Sequence, residues 1–153
     1  APPSPLPVEA SRQRACYVSM YENPGRRLRF MHGSPLPRHR SLAEEVIMNT
    51  VEAIKRGASQ GLRPIDLSYF SYGVAVLGPL ERISSPAHLN PSFFGLYIRS
   101  DRNKSAIILP QRTGIETSED QIATALREAD IDANREGVTM YRFGVEYHDE
   151  KVR

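Results

Sequence analysis

The first regular pattern of apolar and polar positions covers residues 16–31. Residues 16–21 have the β-branched and aromatic content of a strand, and residues 27–31 alternate polar with apolar side chains. Between them, residues 22–25 read Glu-Asn-Pro-Gly, a composition typical of a turn. The pattern predicts a β-hairpin, and the prolines that follow predict a loop that ends at Arg40.

The next segment has helical periodicity. Ser41 followed by Glu44 predicts a capping box at the start of a helix, and Gly57 is expected to end it. Apolar residues at helical spacing predict the face that meets the core, and they are Leu42, Val46, Ile47, Val51 and Ile54. The sequence therefore predicts a helix over residues 41–56 that packs through aliphatic side chains.

A second helix is predicted near the C-terminus, over residues 118–130. Ser118 with Gln121 has the spacing of another capping box. Its apolar face is expected to consist of Ile122, Ala125, Leu126 and Ala129.

Strand composition covers four further stretches, residues 69–77, 93–99, 105–109 and 138–147. The segment from Pro79 to Pro86 is predicted to be irregular. The resulting order is β-β-α-β-β-β-α-β. Because several strands follow one another without helical crossovers, this order indicates an α+β fold with a mostly antiparallel sheet and two main helices.

Length and composition define the domain organisation. Residues 1–13 are rich in proline and are predicted to be a flexible, extended arm of polyproline character. Residues 14–153 fit a single domain. No apolar run approaches the roughly 20 residues that a transmembrane helix needs, so no membrane association is expected.

Charge is distributed unevenly along the chain. The net charge of +2 is too small to indicate a nucleic-acid-binding protein by itself. Residues 1–40, however, contain seven arginines against two glutamates, a net charge of +5. An anionic partner is therefore expected to meet this N-terminal quarter of the chain.

Thiol and imidazole chemistry has few candidates. Cys16 is the one cysteine, which excludes an intramolecular disulfide and favours a reducing compartment. Cys16 with His32 has the residue types of a nucleophile–base pair, but a cysteine at the start of an apolar strand is more typical of a small buried hydrophobe. The four histidines lack metal-ligand spacing, so we expect no metal site and no cofactor.

Four short motifs occur in order along the chain. They are Ser-Leu-Ala-Glu-Glu-Val-Ile at residues 41–47, Tyr-Gly-Val-Ala-Val-Leu-Gly-Pro-Leu-Glu-Arg-Ile at 72–83, Gly-Leu at 95–96 with Ile-Leu-Pro-Gln at 108–111, and Met-Tyr-Arg-Phe-Gly-Val-Glu at 140–146. Together they resemble the AMMECR-type domain, a family named after a candidate gene in the AMME chromosomal region. The resemblance assigns residues 14–153 to one such domain.

The resemblance carries expectations about fold and partners. It implies an α+β fold in two unequal lobes with a groove between them, a cytoplasmic location, and an association with radical-SAM and Memo-type proteins. The family's hairpin usually ends in Leu-Arg-Gly-Cys-Ile-Gly. Here Arg29 and Gly33 match that motif, but Met31 stands at the cysteine position. An activity that needs this thiol is therefore not expected of this chain.

Three hypotheses about function follow. The first is a ligand-binding or accessory module that acts with a radical-SAM or Memo-type partner. The second is an enzyme that uses the first hairpin and the following loop, residues 28–40. The third is a nucleic-acid- or nucleotide-binding domain that uses the basic N-terminal quarter. Methionine at the family's cysteine position favours the first over the second.

A candidate site for a small anionic ligand precedes the first main helix. Basic residues there either neutralise Glu44 and Glu45 or meet an anion together with the free N–H groups of the first helical turn. From the other side, the hairpin supplies a guanidinium for a bidentate contact. The candidate binding residues are Arg29, His32, Gly33, Arg38, His39, Arg40 and Gln111.

Overall fold

The computed structural model describes residues 7–150. It divides into two compact units at Leu77 and again after Val145. Unit 1 contains the described residues up to Leu77 and those from Glu146 onward, and unit 2 is Gly78–Val145.

Unit 1 contains two strands, a long helix and a third strand in chain order. Its elements are the short helix α1 (Val8–Ser11), β1 (Cys16–Glu22), β2 (Arg27–Gly33), α2 (Leu42–Ser59), a 3₁₀ helix (Pro64–Tyr69) and β3 (Phe70–Leu77). Strand β1 pairs with β2 on one side and with β3 on the other, and both pairings are antiparallel. The predicted hairpin and the third strand are therefore confirmed.

The core of unit 1 lies between this sheet and α2. It is formed by Met20, Phe30, Ala53 and Phe70, with Ile54, Leu62, Leu67 and Tyr72 packed against it. Met20 lies opposite Phe30 in one pairing and opposite Tyr72 in the other. The central strand thus aligns the large side chains that α2 covers.

The buried face of α2 differs from the predicted one. Its buried residues are Glu45, Asn49, Ala53 and Gly57, one every four residues, whereas Val51 is 38% exposed. The expectation that Val51 faces the core was wrong. Small residues at the C-terminal half allow the helix to lie close to the sheet, and buried polar groups at the N-terminal half find hydrogen bonds instead of apolar contacts.

The ends of α2 were predicted with partial success. The Ser41 side chain accepts a hydrogen bond from the Glu44 N–H at 3.2 Å, which confirms the N-cap. The Glu44 carboxylate, however, accepts from the N–H of Arg40 and not from that of Ser41, so the box is half formed. The helix continues to Ser59, three residues beyond the expected end at residue 56, and Gly61 follows with φ +94°. A positive φ favours glycine at this position.

Unit 2 is a second α+β arrangement. Its elements are β4 (Glu81–Ile83), a 3₁₀ helix (Pro86–His88), β5 (Phe94–Ser100), β6 (Ser105–Ile108), α3 (Ser118–Ala129) and β7 (Val138–Asp149), which extends into unit 1. Strand β5 pairs with β6 and β7, and β4 pairs with β7, all antiparallel. Strand β4 falls in the segment predicted to be irregular, because three residues between prolines are too few to show an alternating pattern.

Helix α3 packs on the unit 2 sheet as its apolar pattern predicted. Ala125 belongs to the buried core, and Ile122, Leu126 and Ala129 pack against it. The capping box is shifted by one residue: Thr117 is the N-cap and pairs with Asp120. The Ser118 hydroxyl donates to the carbonyl of Leu89 instead. The α+β class with antiparallel pairing and two main helices is confirmed.

The predicted N-terminal arm is only partly described. Residues 1–6 lie outside the described residues. Within the rest of the arm, Val8–Ser11 form one helical turn, so this part is not extended. The Arg12 carbonyl accepts a hydrogen bond from the Leu42 N–H at 2.7 Å, which attaches the arm to the start of α2. Between residues 7 and 150, no helix is both long and apolar enough to cross a membrane.

Candidate functional site

A cavity of about 340 Å³ lies in unit 1. One side is formed by the end of β1 and by β2, and the other by the residues that follow α2 and by the 3₁₀ helix. Its lining includes Glu22, Asn23, Arg29, Phe30, Tyr69 and Phe70. The volume is near the lower end of the range for small-ligand sites, roughly 300–1,000 Å³.

The hairpin turn and the 3₁₀ helix are held together by Asn23. Its backbone N–H donates to the Tyr69 carbonyl at 2.8 Å, and its side-chain amide donates to the Ser71 hydroxyl at 3.3 Å. These two bonds fix the turn against the segment from which Tyr69 projects. The amide oxygen of Asn23 has no partner among the described residues and remains an acceptor at the cavity.

The charged groups at the cavity form one cluster of three residues and one pair. The Arg29 guanidinium donates to the Glu22 carboxylate at 2.5 Å, and Arg27 approaches the other carboxylate oxygen at 3.5 Å. Asp66 is bound by Arg63, whose guanidinium hydrogen bond lowers the pKa of the carboxyl group. The side chains of both groups are partly exposed to water.

Aromatic rings form the floor and the rim of the cavity. Phe30 and Phe70 are buried, with ring centroids 6.3 Å apart and planes tilted by 31°. The Arg29 guanidinium lies over the Phe30 ring at 5.5 Å. Tyr69, by contrast, is 63% exposed although its ring is large and mostly apolar. A ligand that covers it would remove apolar surface from water.

The residues before α2 that were predicted to bind an anion donate backbone hydrogen bonds to two carboxylates of this chain. The backbone N–H groups of Arg38 and His39 both donate to Oε1 of Glu45, the second at 2.6 Å. The Arg40 N–H donates to the Glu44 carboxylate at 3.2 Å. Backbone donors of the loop, and not its basic side chains, therefore bind these two carboxylates, and the side chains of Arg38 and Arg40 are exposed.

His32 and Gly33 lie at the end of β2, opposite Val18 and Tyr17. Burial lowers the pKa of His32, and the nearby Arg56 charge lowers it further, so its imidazole is biased toward the neutral form. A Cβ at Gly33 would overlap the carbonyl oxygen of Cys16 and the ring of Tyr17. The glycine is thus explained by close packing of the hairpin.

Gln111 belongs to unit 2, whereas the other six candidate residues belong to unit 1. It lies in a turn after β6 with φ +63°. Its N–H donates to the Pro91 carbonyl at 2.8 Å and its side chain to the Ser92 carbonyl at 3.4 Å. These contacts explain Gln111 as part of a turn at the end of a strand.

Cys16 is fully buried at the start of β1. The Asn49 amide donates to its sulfur at 3.4 Å and to its carbonyl oxygen at 3.2 Å. Burial raises the pKa of the thiol to about 11. A neutral, inaccessible thiol is a poor nucleophile, and its hydrogen-bond partner is an amide instead of the imidazole of His32. Among residues 7–150, no cluster of three histidine, cysteine or acidic side chains is placed to bind a metal ion.

Arg29 is the one predicted binding residue among those that line the cavity, and residues such as Glu22, Asn23 and Gln60 were not singled out. Tyr69 and Phe70 begin the stretch predicted to be a strand, which is correct for the buried Phe70, whereas the exposed Tyr69 ends the 3₁₀ helix. The one available signal was Glu22 at a strand end beside three arginines of the hairpin. The proximity of residues 60–70 to that turn is not visible in the sequence.

Three comparisons place the chain among known proteins. Residues 1–148 match the family model described as AMMECR1. A Thermotoga maritima protein is 28% identical over 147 residues, which cover 95% of this chain and 83% of that protein. A Clostridium acetobutylicum protein is 32% identical over 124 residues, which cover 80% of this chain but 26% of that protein. This chain therefore spans about a quarter of the longer relative.

A solved structure shows the same fold. The crystal structure of the uncharacterised protein PH0010 from Pyrococcus horikoshii superimposes with a TM-score of 0.82 and 22% sequence identity. The alignment covers 99% of this chain and 80% of that one.

Proposed function

The chain belongs to the AMMECR1 family, and we propose that it is a ligand-binding module whose binding site is the cavity of unit 1. The observation that carries the proposal is the combination of a partly charged wall, an aromatic floor and an exposed aromatic rim in one cavity of about 340 Å³. Small-ligand sites characteristically join apolar surface with a few polar groups that fix orientation.

The alternative of an enzyme that uses residues 28–40 finds less support. The thiol of Cys16 is buried with a raised pKa, and His32 is not its hydrogen-bond partner. The loop before α2 directs its backbone donors at Glu45 and Glu44. Within residues 28–40, Arg29 lines the cavity and has guanidinium N–H groups without an acceptor among the described residues. Such a group is suited to binding a ligand.

The proposal includes an accessory role beside a partner protein. The longer Clostridium acetobutylicum relative supports it. The region that matches this chain makes up 26% of that protein, so most of that protein consists of other sequence. A radical-SAM or Memo-type protein is the partner that the family resemblance suggests. Co-purification of tagged full-length chain with such a protein from the same cell tests this part; recovery of neither would contradict it.

The ligand-binding proposal is tested by a fragment screen in solution. Full-length chain labelled with ¹⁵N is titrated with a small-molecule library, and we expect saturable shifts confined to residues that line the cavity. Gln60→Trp places a large ring at the cavity edge and should abolish these shifts, because Gln60 lines the cavity and is exposed. Lys55→Trp, also exposed but outside the cavity, is the matched control. Hits unaffected by Gln60→Trp would contradict the site.

A further inference from the structure

Resting on the proposed function, we infer that the cavity of unit 1 takes a flat, ring-containing ligand that carries one anionic group, a carboxylate or a phosphate. The inference combines an excess of positive charge at one end of the cavity with an exposed ring at the other.

The positive end lies at the hairpin. Glu22 is the carboxylate that both Arg27 and Arg29 approach, at 3.5 and 2.5 Å, so these three groups leave one positive charge uncompensated. At the opposite wall, both carboxylate oxygens of Asp66 accept hydrogen bonds from Arg63, which leaves that pair neutral. Arg27 lies outside the cavity lining, so Arg29 is the cation of this cluster that a ligand in the cavity can reach, and the net positive charge of the cluster favours an anion at this end.

Arg29 has the donors that such an anion needs. A guanidinium carries five N–H groups in a planar fork that matches a carboxylate or a phosphate. Only NH1 of Arg29 has a side-chain acceptor among the described residues, namely Glu22. A ligand oxygen can therefore bind the remaining donors without breaking the existing ion pair, and the side chain is already oriented by Glu22 and by the Phe30 ring.

Tyr69 supplies the surface for a ring. It projects from the end of the 3₁₀ helix at the cavity and is 63% exposed, while Phe30 and Phe70 form an apolar floor below. Stacking on an aromatic side chain favours flat ring-containing ligands whatever their substituents, because every aromatic ring presents a π-face. Asn23, whose amide oxygen has no partner among residues 7–150, adds one hydrogen-bond acceptor for a ring substituent.

A cationic ligand fits less well. To reach Glu22 it would have to replace two arginines, and to reach Asp66 it would have to replace the three hydrogen bonds from Arg63. A small inorganic anion would leave Tyr69 uncovered and most of the cavity filled with water. The combination of charge and ring is therefore needed to use both ends.

The test compares five probes by NMR titration of full-length protein. Phenyl phosphate and phenylacetate carry a ring and an anion, inorganic phosphate lacks the ring, benzyl alcohol lacks the charge, and benzylamine reverses it. We expect the two ring-bearing anions to bind about tenfold tighter than the other three, as one charge-assisted hydrogen bond is sufficient for that ratio. Their shifts should centre on Arg29 and Tyr69.

Three variants identify the contacts. Arg29→Gln should weaken phenyl phosphate binding about tenfold. Tyr69→Ala should weaken it by a similar factor, whereas Tyr69→Phe keeps the ring and should not. Arg40→Ala is the matched control, because this arginine is exposed and does not line the cavity. Melting temperatures close to that of the wild type show that each variant is folded.

The possible failures are distinguishable. Binding of benzyl alcohol or benzylamine in the cavity as tight as that of phenyl phosphate would overturn the ligand class and leave the proposed ligand-binding function intact. Binding lost in Arg40→Ala but kept in Arg29→Gln would move the anion to the loop before α2 and overturn the inference. If no probe and no library compound shifts the cavity residues, the proposed function fails as well.

Discussion

The carboxylate of Glu45 is buried, with 1% of the residue exposed, and its hydrogen-bond donors come from the same chain. The N–H groups of Arg38 and His39 bind one oxygen, and the Asn49 amide binds the other at 3.4 Å. The loop therefore adopts the geometry expected for an anion site, with an internal anion in place. An external anion at this end of α2 would depend on the exposed side chains of Arg38 and Arg40.

Glu45 makes a strong prediction about stability. Glu45→Gln removes the charge from three hydrogen bonds, so we expect a loss of about 1–3 kcal/mol in the free energy of unfolding, measured by urea denaturation. Glu44→Gln is the matched control on the same helix turn and should cost at most about 1 kcal/mol, because that carboxylate is partly exposed and acts through the helix dipole. Equal effects of the two changes would contradict the structural role of Glu45.

Cys16 predicts an unreactive thiol. Because burial raises its pKa to about 11, native protein at pH 8 should react with a thiol reagent only as fast as it unfolds. Protein in 6 M guanidinium should react at once. The folded pKa lies above the unfolded one, so the contribution to stability is complete below about pH 8.5 and declines as the pH rises toward 11. Rapid modification of the native state would show that the thiol is accessible.

At the scale of elements, sequence patterns were sufficient where one face of an element is apolar. The pairing of the first hairpin and the apolar face of α3 were predicted correctly, although Leu28 of the alternating stretch is 51% exposed. Helix α2 is the exception. Its position in the chain was right, but its buried face consists of Glu45, Asn49, Ala53 and Gly57, and no hydrophobicity pattern identifies a face built from polar and small residues. Hydrogen bonds of Glu45 and Asn49 with other parts of the chain determine which face of α2 is buried.

Gly33 tests the close packing of the first hairpin. Gly33→Ala would place a Cβ against the backbone of Cys16 and Tyr17, which has no freedom to move, and should destabilise the protein by about 1–3 kcal/mol. Gly144→Ala is a matched control in another strand, because nothing lies within 4 Å of its Cβ position. We expect that change to be neutral or slightly stabilising in the same denaturation experiment. A neutral Gly33→Ala would refute the packing argument.

Glu136 makes the connection between α3 and β7 sensitive to acid. Its pKa is lowered, first because the Asp132 N–H donates to the carboxylate and also because Lys104 lies 3.3 Å away. The folded pKa is below the unfolded one, so this contribution is present at neutral pH and lost as the pH falls through the folded pKa. We expect the melting temperature to drop below about pH 4.5. Glu136→Gln should make this drop smaller, and an unchanged profile would exclude the role.

For the whole molecule, the candidate site shows the limit of sequence reasoning. Arg29 was singled out because the family hairpin retains it, and it does line the cavity. Residues 60–62, Asp66 and Tyr69 reach the same cavity from the far end of α2 and from the 3₁₀ helix. This long-range proximity follows from the packing of α2 on the sheet. That packing could not be predicted, because the buried face of α2 consists of polar and small residues.

The remaining expectations of the family resemblance concern matters beyond one chain. A cytoplasmic location, a groove between two lobes and partners of the radical-SAM or Memo type stay predictions. The two compact units each have a core of their own. The proposed ligand site needs residues of unit 1 alone, so the proposal can be tested independently of any partner.

The most direct measurement is a crystal structure of the full-length chain soaked with phenyl phosphate. We expect electron density for the compound in the cavity, with its phosphate oxygens within hydrogen-bond distance of the Arg29 guanidinium and its ring against Tyr69. Density found only elsewhere, such as at Arg38 and Arg40 before α2, with the cavity holding solvent alone, would contradict it.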